Sequence, residues 1–175
     1  LGLFLFIPQV LTDSANRIVH FKKEFIPPAP FTFELLNQNL QGYKNEDYQD
    51  IQKLLIDTGL YFEAIDTKEH FAKKLQNDPE SILVAIEQNK IIGTVFLLQD
   101  NGWVAFVFHL AVNKNYQGKG VGRKLMEEAE KIIRRRNGYQ IHALVDTKND
   151  KVIGFYNNLG FYPDGEYLWM LKELK

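Results

Sequence analysis

The chain has 175 residues, of which 45% are hydrophobic and 13% aromatic, so it is long enough to bury one sizeable core. Its formal net charge of -1 comes without a long run of one sign, which argues against nucleic acid or an anionic membrane as a partner. The absence of cysteine excludes disulfides, thiolate metal sites and a cysteine nucleophile, and is compatible with a reducing, cytoplasmic setting.

The first thirty residues differ in character from the rest of the chain. The apolar start, "LGLFLFIPQV", is too short to span a bilayer and lacks the basic start and small-residue cleavage site of a secretory signal. The stretch "FIPPAPF" places three prolines within four positions, which indicates a linker or stiff extended segment. We therefore expect residues 1–30 to form an arm that packs on the domain or on a second copy in a homodimer, and residues 31–175 to form one domain.

The first half of that domain reads as a strand, two helices and a hairpin. A strand is predicted at "FTFELL", and a helix at Asp47–Thr58 with Gly59 just beyond its end. Asp66 or Thr67 can cap the second helix. The runs "SILVAI" and "IIGTVFLL" are joined by "EQNK", a pattern typical of a hairpin, and their apolar character predicts that helices cover the sheet.

The second half alternates between strands and helices. The most apolar strand, "WVAFVFHLAV", is placed at the centre of the sheet. After it come a long amphipathic helix that ends at Asn137-Gly138, a strand at "YQIHALV", a short helix over Asp150–Leu159, and a last strand at "EYLWMLKEL". This order of elements predicts an α/β or α+β fold with a mixed sheet.

Three glycines, Gly118, Gly120 and Gly122, stand directly before the long helix. The first N–H groups of a helix have no partner within it, and with the helix dipole they form a site suited to phosphate. The spacing does not fit the dinucleotide pattern G-x-G-x-x-G, and no G-K-[ST] follows for a nucleoside triphosphate. We expect a different phosphate-bearing ligand here, since a plain turn seldom needs three glycines.

Read with its flanks, "LAVNKNYQGKGVGRKLM" resembles the acetyl-coenzyme A signature Q/R-x-x-G-x-G/A of the GNAT family of N-acetyltransferases, with Gln117, Gly120 and Gly122 in the defining places. The segment "NDKVIGFYNNLGF" is similar to the last motif of that family. The resemblance extends from about Phe31 to the C-terminus. It implies a three-layer α+β fold with a mixed, mostly antiparallel sheet flanked by helices.

The resemblance also implies an enzyme that transfers the acetyl group of acetyl-CoA to a primary amine by direct attack in a ternary complex. The backbone of Leu110, Ala111 and Val112 would bind the pantetheine arm, and one of its N–H groups would stabilise the oxyanion. The expected cofactor-binding residues are those three together with Gln117, Gly118, Lys119, Gly120, Val121, Gly122, Arg123 and Asn149. The side chains of Lys119 and Arg123 fit a solvated surface equally well, and Asn149 also suits a helix cap.

Two residues are candidates for proton transfer. By family position, Tyr156 is the general acid that protonates the departing thiolate, although its helical spacing also fits a core tyrosine. His109 lies in an apolar strand two residues before Ala111, where an imidazole can act as the general base. A buried, hydrogen-bonded histidine is the structural alternative, and many family members carry an acid near this point.

The acceptor side is expected at Tyr61, Phe62 and Glu63, where an acid suits a cationic amine and the rings suit an apolar one, whether on a small molecule or a peptide. Loop packing is the alternative for these three residues. No H-E-x-x-H or serine-centred motif supports a metal site or a hydrolase. A non-catalytic CoA-binding sensor or assembly module of the same fold remains an alternative function.

Overall fold

The structure is a computed structural model that describes residues 39–99, 103–166 and 168–174. Residue contacts divide the chain into one unit of residues 33–153 and a second unit of residues 1–32 and 154–175. The predicted arm over residues 1–30 and the predicted strand "FTFELL" lie outside the described residues, so both stay predictions.

The described residues of the unit 33–153 form a five-stranded sheet. Its strands lie in the order in which they occur in the chain, with three antiparallel pairings followed by one parallel pairing between the last two. The strands are β1 (Asn39–Gly42), β2 (Ile82–Glu87), β3 (Lys90–Gln99), β4 (Val104–Val112) and β5 (Gln140–Ala143). The mixed, mostly antiparallel sheet is as predicted. β4 is an interior strand of the described sheet, between β3 and β5, as its apolar sequence predicts, and β3 is the middle strand of the five described.

Local sequence explains the hairpin between β2 and β3. Gln88 and Asn89 have φ values of 49° and 60°, and two successive positive φ angles are the geometry of the type I′ turns that match the twist of paired strands. The hairpin predicted from "EQNK" is therefore confirmed, with the turn at these two residues.

Four α-helices accompany the strands in the described part of the chain. They are α1 (Tyr48–Thr58), α2 (Lys68–Asn77), α3 (Val121–Arg135) and α4 (Asp150–Asn157). Gly59 ends α1 with a φ of 74°. The cap of α2 is Thr67, whose Oγ1 accepts a hydrogen bond from the backbone N–H of His70. The side chain of the alternative cap, Asp66, instead bonds His109 and the backbone N–H of Phe62. No helix among the described residues combines the length and apolar character that crossing a membrane requires.

Helices cover both faces of the sheet, which gives the three layers predicted from sequence. On one face, a buried cluster joins α1 and α2 to the sheet through Ile51, Leu55, Phe71 and Phe96. On the other face, the apolar side of the predicted amphipathic helix α3 is buried, including Val121, Leu125, Ala129 and Ile132.

Gly93 on β3 sets the distance between the sheet and α3. A Cβ atom at this residue would lie 3.0 Å from Val121 Cγ1 and 3.1 Å from Leu125 Cδ1, both on the first half of α3. Gly93 is also the register partner of Val112, the last residue of β4. The close approach therefore brings the start of α3 to the end of β4, where the candidate site lies.

The unit that contains residues 154–175 does not include the predicted last strand. Residues 161–166 and 168–174 have no strand assignment, and Leu168 and Met170 are 90% and 86% exposed. The prediction from "EYLWMLKEL" is thus wrong for the described residues. An apolar run becomes a strand only where a neighbouring strand bonds its backbone, and the described part of this unit supplies none.

Ion pairs fasten the end of α3 to the turn before β2. The guanidinium of Arg136 bonds both carboxylate oxygens of Asp78 at 2.7 Å and Glu80 at 2.9 Å, and Arg135 also bonds Glu80. The hydrogen bond from Arg136 lowers the pKa of Asp78, and those from Arg135 and Arg136 lower the pKa of Glu80. Depressed carboxyl pKa values give stability that is present above the ordinary carboxyl range and is lost as the pH falls through the lower folded-state values.

We expect Arg136→Met to lower the free energy of unfolding by about 1–2 kcal/mol at neutral pH, because it breaks a bidentate, half-buried pair. The difference from wild type should shrink below pH ~4, as the carboxylates of the folded protein become protonated. Urea denaturation at the two pH values measures both effects. The control is Arg134→Met, which removes an exposed partner of Glu130 at 3.4 Å and should change stability little. Equal losses in the two variants would contradict the prediction.

Candidate functional site

The loop after β4 is tied back to the end of that strand. The side-chain amide of Gln117 donates to the Val112 carbonyl oxygen at 3.0 Å and accepts from Lys151 Nζ at 3.3 Å. The Asn113 backbone N–H donates to the Ile92 carbonyl on β3 at 2.8 Å. The side chain of Gln117, a predicted cofactor-binding residue, therefore fixes the loop, which leads into the glycines.

The glycine segment adopts the conformation that its composition favours. Gly118 and Gly120 have φ values of 75° and 83°, in the left-handed region that residues with a Cβ atom seldom occupy. Gly120 is the N-cap of α3. The first N–H groups of α3 therefore follow a glycine that has no side chain to cover them. These N–H groups can bind an anion.

The side chains around that turn have separate roles. Val121 is buried against the sheet, so it can offer only its backbone N–H to a ligand. Lys119 is exposed and its Nζ lies 5.2 Å from the centre of the Tyr116 ring. Arg123 and Gly122 are half-buried. Positive charge from Lys119 and Arg123 thus borders the helix start that the glycines leave open.

β4 and β5 separate beside this helix start. Their parallel pairing runs from Val104 with Gln140 to Val107 with Ala143, whereas β4 continues for five more residues to Val112. Over those residues β4 pairs with β3 on one side only, as far as the described residues extend. An opening therefore lies next to Leu110, Ala111 and Val112, and an extended, peptide-like ligand can bond the free backbone groups.

His109 lies at an irregularity in β4 just before these residues. Thr94 of β3 pairs with Ala111 of β4, and Phe96 pairs with Phe108. Two positions along β3 thus match three along β4, so β4 carries one extra residue. His109 has a φ of 49°, and bulges of this kind re-aim side chains. Its imidazole consequently stacks on Phe96, with ring centres 4.9 Å apart, on the face covered by α1 and α2.

The imidazole of His109 contacts the carboxylate of Asp66. Nε2 lies 3.0 Å and 2.9 Å from the two carboxylate oxygens, and both side chains are more than nine-tenths buried. The structural alternative of a buried, hydrogen-bonded histidine is thus observed, and the role of general base stays a prediction. From the sequence, Asp66 is a candidate only for a helix cap, and no motif links it to a residue 43 positions away.

The predicted acceptor residues lie in the segment between α1 and α2. Tyr61 is half-buried and its hydroxyl accepts from the side chain of Gln52 at 2.8 Å, which is the packing role given as its alternative. Phe62 is 56% exposed, and its ring centre lies 6.0 Å from that of His109. Glu63 is exposed. Phe62 and His109 therefore meet on one side of the sheet, with Glu63 next in the chain.

Tyr156 belongs to the second unit, near the end of α4. It is buried, with ring centres of Phe155 and Phe161 at 5.3 Å and 5.1 Å. Burial raises the pKa of its phenol to about 12, so the hydroxyl keeps its proton throughout the neutral range. Asn149 caps the start of α4, since its side-chain oxygen accepts a hydrogen bond from the Val152 backbone N–H at 3.2 Å. The capping alternative for Asn149 is therefore observed.

Comparison with known proteins identifies the family. The model of the Acetyltransferase (GNAT) family matches residues 48–161. An acetyltransferase of Pectobacterium atrosepticum is 29% identical over 119 residues, which are 68% of this chain and 84% of the relative. An acetyltransferase of Sodalis glossinidius is 26% identical over 135 residues, 77% of this chain and 94% of the relative.

A solved structure confirms the fold. The PaiA N-acetyltransferase of Thermoplasma acidophilum, in complex with coenzyme A, superposes with a TM-score of 0.62 at 21% identity, over 72% of this chain and 90% of that one. The family match spans both sequence motifs, the glycine segment and Tyr156. The chain therefore belongs to the GNAT family of acetyltransferases, as its two motifs predict.

Proposed function

We propose that the protein transfers the acetyl group of acetyl-CoA to a primary amine by direct attack in a ternary complex. This proposal rests on two neighbouring binding surfaces. One is the start of α3, which follows a glycine, and the other is the end of β4 beyond its last pair with β5. One suits a diphosphate and the other an amide-bearing chain, and coenzyme A contains both in covalent linkage.

In this proposal the loop from residue 117 to 123 binds the pyrophosphate through backbone N–H groups, and Lys119 and Arg123 add positive charge. The backbone of Leu110, Ala111 and Val112 bonds the pantetheine arm in place of a neighbouring strand. The coenzyme A bound to the PaiA relative, which has the same fold, supports a CoA-derived co-substrate for this chain.

The thioester would then lie close to His109, since that residue directly precedes the strand end. His109 takes a proton from the ammonium form of the acceptor, and the amine lone pair attacks the thioester carbonyl. A backbone N–H of Leu110 or Ala111 stabilises the oxyanion. The attack forms the C–N bond, and collapse of the tetrahedral intermediate breaks the C–S bond. Tyr156 protonates the departing thiolate and regains a proton from the nitrogen of the new amide.

The acceptor is an amine that approaches His109 past the side chains of Phe62 and Glu63. The exposed ring of Phe62, beside His109, accommodates apolar or aromatic groups. The Glu63 carboxylate attracts the ammonium form of the acceptor before that ammonium loses its proton. These features suit the amine of a small molecule or of a peptide.

Free thiol release from acetyl-CoA with a panel of amines tests the proposal. We expect release that depends on the amine, together with a rise in Tm when acetyl-CoA is added. Cofactor binding without thiol release for any amine would replace the enzyme by a CoA-binding module. The absence of both signals would overturn the cofactor assignment itself.

A further inference from the structure

We infer that Asp66 is a positioning residue that orients the imidazole of His109 so that Nδ1, and not Nε2, accepts the proton of the incoming amine. This inference rests on the proposed acetyl transfer and adds a residue to it. Among the described residues, the hydrogen bonds of the Asp66 side chain go to His109 and to the Phe62 backbone, so Asp66 would act through His109.

The contact between the two side chains fixes the tautomer. Nε2 of His109 lies within 3.0 Å of both carboxylate oxygens of Asp66. An ionised carboxylate only accepts hydrogen bonds, so the imidazole nitrogen that faces it must carry the hydrogen. In the neutral imidazole the other nitrogen then has the free lone pair. Nδ1 is therefore the atom that can remove a proton.

Asp66 is itself held in place from several sides. Its Oδ2 accepts the backbone N–H of Phe62 at 2.8 Å, and its carbonyl oxygen accepts the hydroxyl of Tyr48 at 2.9 Å. It directly precedes Thr67, the cap of α2, where the helix dipole favours negative charge. With 4% of its surface exposed, the carboxylate has little freedom to move away from the imidazole.

The ring plane of His109 is fixed independently of Asp66. The imidazole stacks on Phe96 with an interplanar angle of 24°, and its centre lies 5.2 Å from that of the Phe108 ring. Phe108 and His109 are consecutive residues, which in a regular strand would point to opposite faces. The extra residue in β4 instead brings both rings to Phe96. A strained φ maintained at such a position is typical of a functional residue.

The proton transfers balance with the acceptor amine, His109, Tyr156 and water. An ammonium proton of the acceptor moves to Nδ1, and His109 becomes an imidazolium whose charge is offset by the adjacent carboxylate. The amine lone pair then forms the C–N bond. As the C–S bond breaks, the thiolate takes a proton from Tyr156, which regains one from the nitrogen of the new amide. The imidazolium then releases its proton to water, so that the enzyme returns to its starting state.

The tautomer can be measured directly by long-range ¹H–¹⁵N NMR of the full-length protein, at a pH where the imidazole is neutral. For His109 we expect a protonated Nε2 and an unprotonated Nδ1 in the wild type. Asp66→Asn should shift the population toward protonated Nδ1, because the amide can donate to Nε2. A wild-type His109 with the hydrogen on Nδ1 would overturn the inference, and this measurement needs no variant.

Kinetics provide the second test. Asp66→Asn should lower kcat by about 100-fold with KM for acetyl-CoA unchanged, since the misplaced tautomer affects only the proton step. In a His109→Gln background the same substitution should have no further effect, as expected for a residue that acts through His109. Asp47→Asn is the control, because its carboxylate also accepts a backbone N–H, from Lys44, and it should retain wild-type kcat.

Two outcomes separate this inference from the proposed function. Wild-type turnover that Asp66→Asn or His109→Gln leaves intact would overturn the inference and preserve acetyl transfer. A wild type without turnover would contradict the proposed function, and the NMR measurement would still decide whether Asp66 sets the tautomer.

Discussion

Gly120→Glu is expected to abolish the rise in Tm that acetyl-CoA produces in the wild-type protein. Gly120 is the N-cap of α3 with a φ of 83°, so a side chain here is strained and brings bulk and negative charge to the helix start. At a ligand concentration of about 100 times Kd, binding stabilises the wild type by roughly 2.7 kcal/mol, and the variant should lose essentially all of it. Thermal unfolding with and without acetyl-CoA measures the effect.

The matched control is Gly59→Glu. Gly59 has a similar φ of 74° at the end of α1, and a Cβ atom there would meet no atom within 4 Å. This variant should unfold at a lower temperature for the same conformational reason, yet keep the full rise with acetyl-CoA. If Gly120→Glu also kept that rise, the diphosphate would bind elsewhere.

Tyr156→Phe is expected to lower kcat by about 10²–10⁴-fold, the usual contribution of a general acid, with the affinity for acetyl-CoA unchanged. The substitution removes only the hydroxyl, and the aromatic contacts with Phe155 and Phe161 remain available. Because the pKa of the phenol is about 12, the hydroxyl is protonated throughout the neutral range, so the loss should be the same at each neutral pH tested. Steady-state kinetics and coenzyme titration measure the two quantities.

Tyr43→Phe is the control for the loss of a buried phenol. Burial also raises the pKa of Tyr43 to about 12, and its hydroxyl has no hydrogen-bond partner among the described residues. Its removal should leave kcat unchanged and stability equal or higher, since an unsatisfied buried hydroxyl is unfavourable. A comparable fall in kcat in both variants would assign the effect of Tyr156 to packing.

Periodicity was sufficient to predict the elements that bury one face. The long helix is the clearest example, because Val121, Leu125, Ala129 and Ile132 recur at helical spacing and are all buried in α3. Surface contacts were less predictable. Arg134 pairs with Glu130 at i,i+4 spacing, but Lys131 bonds Glu128 at i,i+3 spacing, at 2.9 Å, and not Glu127 at i,i+4.

Features that depend on distant partners could not be read from the sequence. The extra residue in β4 is visible only once β3 fixes the register, and it is this bulge that brings His109 to the face where Asp66 lies. The C-terminal run has the composition of a strand, yet composition alone does not provide the neighbour that a strand needs. The glycine motif was predictable because its chemistry is local to the backbone.

The close approach at Gly93 has a consequence for mutational scans of this protein. Even alanine would place a Cβ atom 3.0 Å from Val121 and 3.2 Å from the Ala111 carbonyl oxygen, so the helix or the strand must shift to accept it. Either shift would alter the spacing between the start of α3 and the end of β4, where the proposed cofactor site lies. A substitution at position 93 that abolishes activity would therefore reflect the spacing between helix and sheet. A functional screen would nevertheless group Gly93 with the residues that contact the ligand.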